Sequence, residues 1–263
     1  MKNFAFVLGL VLLAAFSAAG GEGFAATAAR VPGGRGTLCL TFDDRNFGDW
    51  KRALPVFDRY GAHATFFVCG PLDRAAILAM RELRRHGHSL GLHGFGHASA
   101  VKLLAEKGGE GYLDAEVRPQ LKVAASNGLK VCSWSYPFSS RSVATDVLLA
   151  KYFRHLRTGA VFGRDPKVRP LAECDELYMR LADVRTRLLF PSAGIGSLTG
   201  EEAKDVTTAL ERLARTDEVL VLYAHAILAD GKGNGNDMRL NALEEILSAA
   251  RVRNVRVLGF DEL

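Results

Sequence analysis

The sequence predicts one α/β domain built as a closed or nearly closed barrel of parallel strands, and three observations carry that expectation. From residue 37 onward, short apolar runs alternate with longer stretches of helical period, the pattern of right-handed βαβ units. Several runs are apolar at almost every position, as in "TLCLTF" and "VLVLYAH", which suits strands covered on both faces. No internal repeat and no shift of composition divides the 263 residues, 48% hydrophobic and 24% charged, so a single core is expected.

Taken in order, the chain opens with Lys2, the apolar stretch "FAFVLGLVLLAAF" and the small residues "SAAGGEGFAATAA". A basic start, an apolar segment of that length and small-residue cleavage options predict a secretory signal peptide over residues 1–28, cut after Ala19 or Ala28. Thirteen apolar residues fall short of the roughly 20 that span a bilayer. A secreted or periplasmic protein without stable membrane insertion after cleavage follows. Residues 29–36, containing "RVPGGRG", read as a Gly-rich linker. Residues 37–263 form the domain. Its predicted strands are 37–42, 64–69, 89–93, 131–137, 155–158, 187–192, 218–225 and 255–260. Helices are predicted over 49–60, 73–86, 111–127, 142–152, 200–215 and 238–250.

The net charge of +5 comes from scattered Lys and Arg, an arrangement that favours neither nucleic acid nor a membrane surface. Four cysteines form no CxxC pair, which removes the usual structural zinc patterns. Cys39, Cys69 and Cys132 lie in strand-like runs and read as buried free thiols, whereas Cys174 lies in a polar stretch.

Candidate chemistry gathers where strands end, on the loops leading into helices. Asp43 and Asp44 close the first strand. One aspartate would be enough to cap the following helix; two adjacent carboxylates beside an apolar run call for a cation or a proton-transfer task. His93 ends the third strand, Tyr136 and Pro137 the fourth, and His225 a later one. The stretch "GHSLGLHGFGHAS" holds His88, His93 and His97, three of the seven histidines. His93 and His97, four apart, can face one cation together with Asp44, leaving positions for water and substrate. His88 lies within the apolar strand and reads as a hydrogen-bonded structural residue.

The ordered set "TFDD" (41–44), "ATFFV" (64–68), "GHSLGLHGFGH" (87–97) and "VLVLYAH" (219–225) resembles the polysaccharide deacetylase family, the NodB-homology or carbohydrate esterase family 4 group. The resemblance implies a distorted (β/α)7-type barrel with one divalent metal, commonly zinc, with cobalt, nickel or iron as alternatives. It implies removal of N- or O-acetyl groups from an acetylated carbohydrate. Asp43 would be the general base, Asp44, His93 and His97 the metal ligands, and His225 the general acid. Tyr136, Phe138 and Arg141 are candidates for oxyanion or substrate contacts.

This sequence departs from the family pattern at several positions. Ser135 stands where the third motif carries an arginine, with Arg141 and Arg157 as candidate replacements. Phe138 stands at the usual tyrosine position, and Ala226 follows His225 where an aspartate is frequent. No Asp-x-x-Asp-Trp-like motif supplies a partner for His225. Trp50 and Trp134 read as packing residues. Residues 163–180 read as a surface excursion, and 225–238 as a Gly-rich loop shaping the substrate site. Two other readings stay open: a hydrolase of small cyclic amides on the same fold, and a catalytically silent carbohydrate-binding protein.

Overall fold

A computed structural model describes residues 36–161, 167–196, 200–230 and 235–263. The expected leader and the linker as far as Arg35 lie outside them. Seven parallel strands close a barrel. In order they are β1 (Thr37–Asp44), β2 (Thr65–Val68), β3 (Ser89–Leu92), β4 (Ser133–Ser135), β5 (His155–Val161), β7 (Leu189–Gly194) and β8 (Glu218–Ala224), which pairs back onto β1. β6 (Tyr178–Arg180) runs antiparallel to β8 along Glu218–Leu220, whereas β7 meets β8 only higher up, at Leu222 and Tyr223. That wedge makes the distortion of the barrel. The chain adopts the (β/α)7-type fold anticipated from the alternation and the resemblance.

The continuous apolar strands serve two cores, and their two-residue period sorts side chains between them. Leu38, Leu40 and Phe42 of β1 face outward with Phe66, Val68, Leu220 and Leu222. There they meet α1 (Phe47–Tyr60), α2 (Arg74–Arg85), α6 (Gly200–Leu213) and α7 (Leu240–Val252). Cys39, Phe67, Val219, Val221 and Phe190 fill the interior. The C-terminal turn closes the end where the strands begin: Phe260 joins the interior cluster, and its N–H donates to Thr65 Oγ1 at 2.9 Å. β9 (Ile227–Leu228) and β10 (Met238–Arg239) form a small parallel pair, and β11 (Arg256–Val257) lies beside the start of β1.

Three expectations need correction. The helical region before β4 begins earlier than residue 111, as α3 (Ala100–Tyr112), a π-helical turn (Leu113–Val117) and α4 (Arg118–Ser126). α3 buries only Ala100 and Tyr112, and Gly108 leaves helical geometry at φ 69°, so its sequence carries little apolar period. The 163–180 stretch is not wholly a surface excursion, because Leu171, Cys174 and Leu177 are buried and Tyr178–Arg180 joins the sheet. Among the cysteines, Cys39 and Cys174 are buried whereas Cys69 and Cys132 are half-buried. α5 (Val143–Leu149) follows β4, and no helix of the described residues is long and apolar enough to cross a membrane.

Candidate active site

Strand register brings the candidate residues to one rim. Asp43 and Asp44 pair with Phe67 and Val68 at the end of β2, Val68 with Leu92 at the end of β3, and Ser135 with Arg157 across β4 and β5. His93 follows β3 and His225 follows β8. These C-terminal strand ends surround a cleft of about 240 Å³ lined by residues that include Asp43, His93, His97, Tyr136, Arg157, Tyr223 and His225.

Asp44, His93 and His97 offer ligand atoms that all lie within 4.8 Å of one another. His93 Nε2 is 3.2 Å from His97 Nε2, and Asp44 Oδ1 lies 3.7 and 3.5 Å from these two nitrogens. Ligand atoms about 2.0–2.1 Å from one tetrahedral ion are separated by about 3.4 Å, so the triangle fits a small divalent cation. His93 Nδ1 donates to the Ser135 carbonyl at 2.8 Å, which leaves Nε2 as the lone-pair nitrogen facing the cluster. Burial pulls the His93 pKa down, with Asp43 opposing and Arg157 adding to the shift. The neutral imidazole is the form that ligates.

Asp43 is buried and its Oδ2 receives Arg157 Nη2 and, at 3.3 Å, Ser135 Oγ. Its Oδ1 has no hydrogen-bond partner among the described residues. Arg157 is itself buried, its guanidinium carbon 4.6 Å from the Tyr223 ring centre and 5.6 Å from that of Phe67. Arg157 therefore partners Asp43 from β5. Arg141 does not reach this cleft; its guanidinium pairs with Asp146, which also accepts from Tyr136 Oη at 2.8 Å. Substrate contact by Arg141 is thus corrected to support of the turn after β4. Tyr136 lines the cleft but is buried, whereas Phe138 is 72% exposed with its ring 4.7 Å from that of His97.

His225 Nδ1 donates to the Asn236 carbonyl at 3.1 Å, and Nε2 lies 3.9 Å from Asp44 Oδ2. The partner that no motif supplied is thus a backbone oxygen from the Gly-rich loop. Trp50, fully buried, donates Nε1–H to the His225 carbonyl at 2.8 Å. Trp134 is buried as well, so both tryptophans pack. Four of the five non-glycine residues with positive φ among the described residues lie here: Asp44, His97, Phe138 and Ser139, at 84°, 52°, 56° and 54°. Such conformations cost of order 1–3 kcal/mol each and persist where surrounding contacts over-determine them.

Tyr223, absent from the sequence-derived candidates, alternates with Val219 and Val221 on β8. The two-residue period alone could have turned it inward. The Asn236 carbonyl had no such signal, because a backbone acceptor carries no residue type.

Residues 30–152 match the family model described as polysaccharide deacetylase. A chitin deacetylase of Arthroderma benhamiae is 36% identical over 73 residues, 26% of this chain and 19% of that protein. The match therefore spans about a fifth of the curated relative. Among solved structures, the chitin deacetylase of Colletotrichum lindemuthianum superposes with a TM-score of 0.58 at 14% identity, covering 87% of each chain. A peptidoglycan deacetylase of Bacillus subtilis gives 0.55 at 16% identity, covering 87% of this chain and 89% of that one. At these identities the superpositions establish the fold.

Proposed function

Because this chain belongs to the polysaccharide deacetylase family, we propose that it is a metal-dependent hydrolase that removes acetyl groups from a carbohydrate. One observation carries the reading: the Asp44/His93/His97 donor triangle shares a cleft with Asp43, a buried carboxylate paired to Arg157. Relatives named for action on chitin and peptidoglycan point to N-acetyl sugars as the first substrates to try.

Asp44, His93 and His97 would hold the cation, and their N/O donors suit zinc, cobalt, nickel or iron better than magnesium. When bound, such a cation supplies Lewis acidity toward an acetyl carbonyl and acidifies water at the site. Asp43 Oδ1 then takes a proton from the attacking water, while Oδ2 stays anchored by Arg157 and Ser135. The Phe138 N–H is the proposed donor to the oxyanion. His225 delivers a proton from Nε2 to the departing nitrogen or oxygen, its Nδ1–H tied to the Asn236 carbonyl. Export belongs to the same proposal, supported by the basic, apolar and small-residue pattern of residues 1–28.

The test is acetate release from acetylated chito-oligosaccharides, with metal content determined on the same samples and activity followed through chelation and reloading. Activity that disappears with the metal and returns with it supports the proposal. Sugar binding without acetate release at any metal loading would favour the silent carbohydrate-binding reading instead. Periplasmic protein shortened by 19 or 28 residues at the Ala19 or Ala28 site would support export; an intact leader on cytosolic protein would overturn it.

A further inference from the structure

The loop 93–98 carries two proposed metal ligands, and its shape is governed from outside by one residue that the mechanism does not use. Glu116 lies in the π-helical turn Leu113–Val117 and is only 3% exposed. Its carboxylate accepts the Gly96 N–H, 3.1 Å from each oxygen, and the Ala98 N–H at 3.3 Å. Its backbone carbonyl accepts the Phe95 N–H at 3.0 Å. Three amides of one short loop therefore end on a single residue.

The glycines of "HGFGH" record the same arrangement. A Cβ on Gly94 or on Gly96 would stand 2.5 Å from a Glu116 carboxylate oxygen, and Gly94 also needs its φ of 88°. One turn farther on, buried Gln120 donates to the carbonyls of Val68 and Gly70 at 3.0 and 2.8 Å. The Gly70 N–H in turn donates to the Gly94 carbonyl at 2.8 Å. Buried polar groups on this segment thus brace the 93–98 loop both directly and through the neighbouring Val68–Gly70 stretch. π-Helical turns are rare and often mark functional positions.

We propose that Glu116 is a positioning residue that holds the His97 loop in its ligating shape, an inference that rests on the metal site proposed above. His97 has a left-handed backbone, φ 52°, between the two residues whose amides Glu116 receives. That conformation is unfavourable for a residue with a side chain and needs external support. The support keeps His97 Nε2 at 3.2 Å from His93 Nε2 and 3.5 Å from Asp44 Oδ1. A carboxylate suits the task because both of its oxygens accept. In Glu116→Gln one oxygen becomes an NH2 group that opposes the converging N–H donors.

The experiment measures zinc affinity by competition with a chromophoric chelator in the wild type, Glu116→Gln and Gly96→Ala. Gly96→Ala leaves every proposed ligand and Glu116 itself in the sequence, and it covers the possibility that Glu116→Gln fails to fold. Loss of a supporting contact to metal ligands typically weakens affinity by about 10- to 100-fold, and both variants should show it, with unfolding midpoints of the metal-free proteins recorded alongside. Amide hydrogen exchange on metal-free protein gives a readout that needs no metal. Gly96 and Ala98 should exchange slowly in the wild type and rapidly in Glu116→Gln, while amides of β1–β3 keep their protection. Zinc affinity within about threefold of wild type in both variants, or rapid Gly96 and Ala98 exchange in the wild type, overturns the role of Glu116. If the wild type binds no zinc, nickel or cobalt, the metal reading fails by itself. The exchange contrast then decides whether Glu116 orders the loop.

Discussion

His88 and His93 bracket the same strand, β3, and both are buried, yet they serve opposite ends of the barrel. His88 enters at the closed end, where Nδ1 accepts the Ala64 N–H at 3.0 Å and the ring packs edge-on against Phe57 and Phe66. Its Nε2 has no partner among the described residues, and burial pushes the imidazole pKa down to about 3. His93 leaves at the open end, where Nδ1 donates and Nε2 faces His97 and two carboxylates. Burial alone therefore does not make a histidine functional. What the second ring nitrogen faces decides: aromatic edges at one end, convergent donors at the other.

The largest effect that would break this contrast comes from His93. His93→Ala should lose the bound metal and nearly all deacetylase activity, whereas His88→Gln should keep both. Elemental analysis and acetate release on paired samples check it, and unchanged metal content in His93→Ala would remove His93 from the ligand set. The neighbouring aspartates come next. Asp43→Asn should retain the metal and lower kcat by about 10²- to 10⁴-fold, the usual effect of losing a general base. Asp44→Asn should instead weaken metal binding, with activity recovering in excess metal. The reverse pattern would exchange the two roles.

Arg157 tests the interior side of the open end. Arg157→Met leaves Asp43 without its cationic partner in a dry site, which typically costs about 3–5 kcal/mol. Adding Asp43→Asn should recover part of that loss, because no charge then remains unpaired. Urea unfolding of the two singles and the double forms the cycle; strict additivity would deny the pair.

The smallest effect belongs to the closed end. His88 has a folded pKa below its unfolded value of 6.5, so the unfolded chain binds the proton more readily. Its contribution is present above pH 6.5, falls as the pH drops, and is exhausted near pH 3. Between pH 7 and pH 5 it should cost about 2 kcal/mol. His88→Gln should flatten that part of the stability profile measured by urea unfolding, and an unchanged slope would mean that His88 is protonated alike in both states.

Much of this molecule was legible before any coordinate. Short runs between helical stretches located each of the seven barrel strands, several of them apolar at nearly every position because both faces of such strands are covered. The "TFDD" and "HGFGH" stretches put forward Asp43, Asp44, His93 and His97 as candidates, since a carboxylate pair and two histidines four apart both fall where predicted strands end. α3 was missed for the complementary reason. It lies on the surface with three glycines in its last turns, and a helix with little buried face leaves no period to read.

By itself, then, the sequence determined the strand and helix alternation and the closed α/β architecture, because each follows from local periodicity, and it put forward Asp44, His93 and His97 as candidate donors. Only the tertiary structure decided which groups support them. Arg157 stands 114 positions from Asp43 and reaches it because barrel closure sets β5 across the interior from β1. Arg141, closer along the chain to Ser135, is instead taken by Asp146. Glu116 meets Gly96 from 20 positions away through a π-helical turn that no periodicity announces. The Asn236 carbonyl meets His225 as backbone, whatever the side chain. Such contacts arise from the relative placement of elements already formed, and that placement is set by packing the two cores, a property of the whole chain that no local window contains.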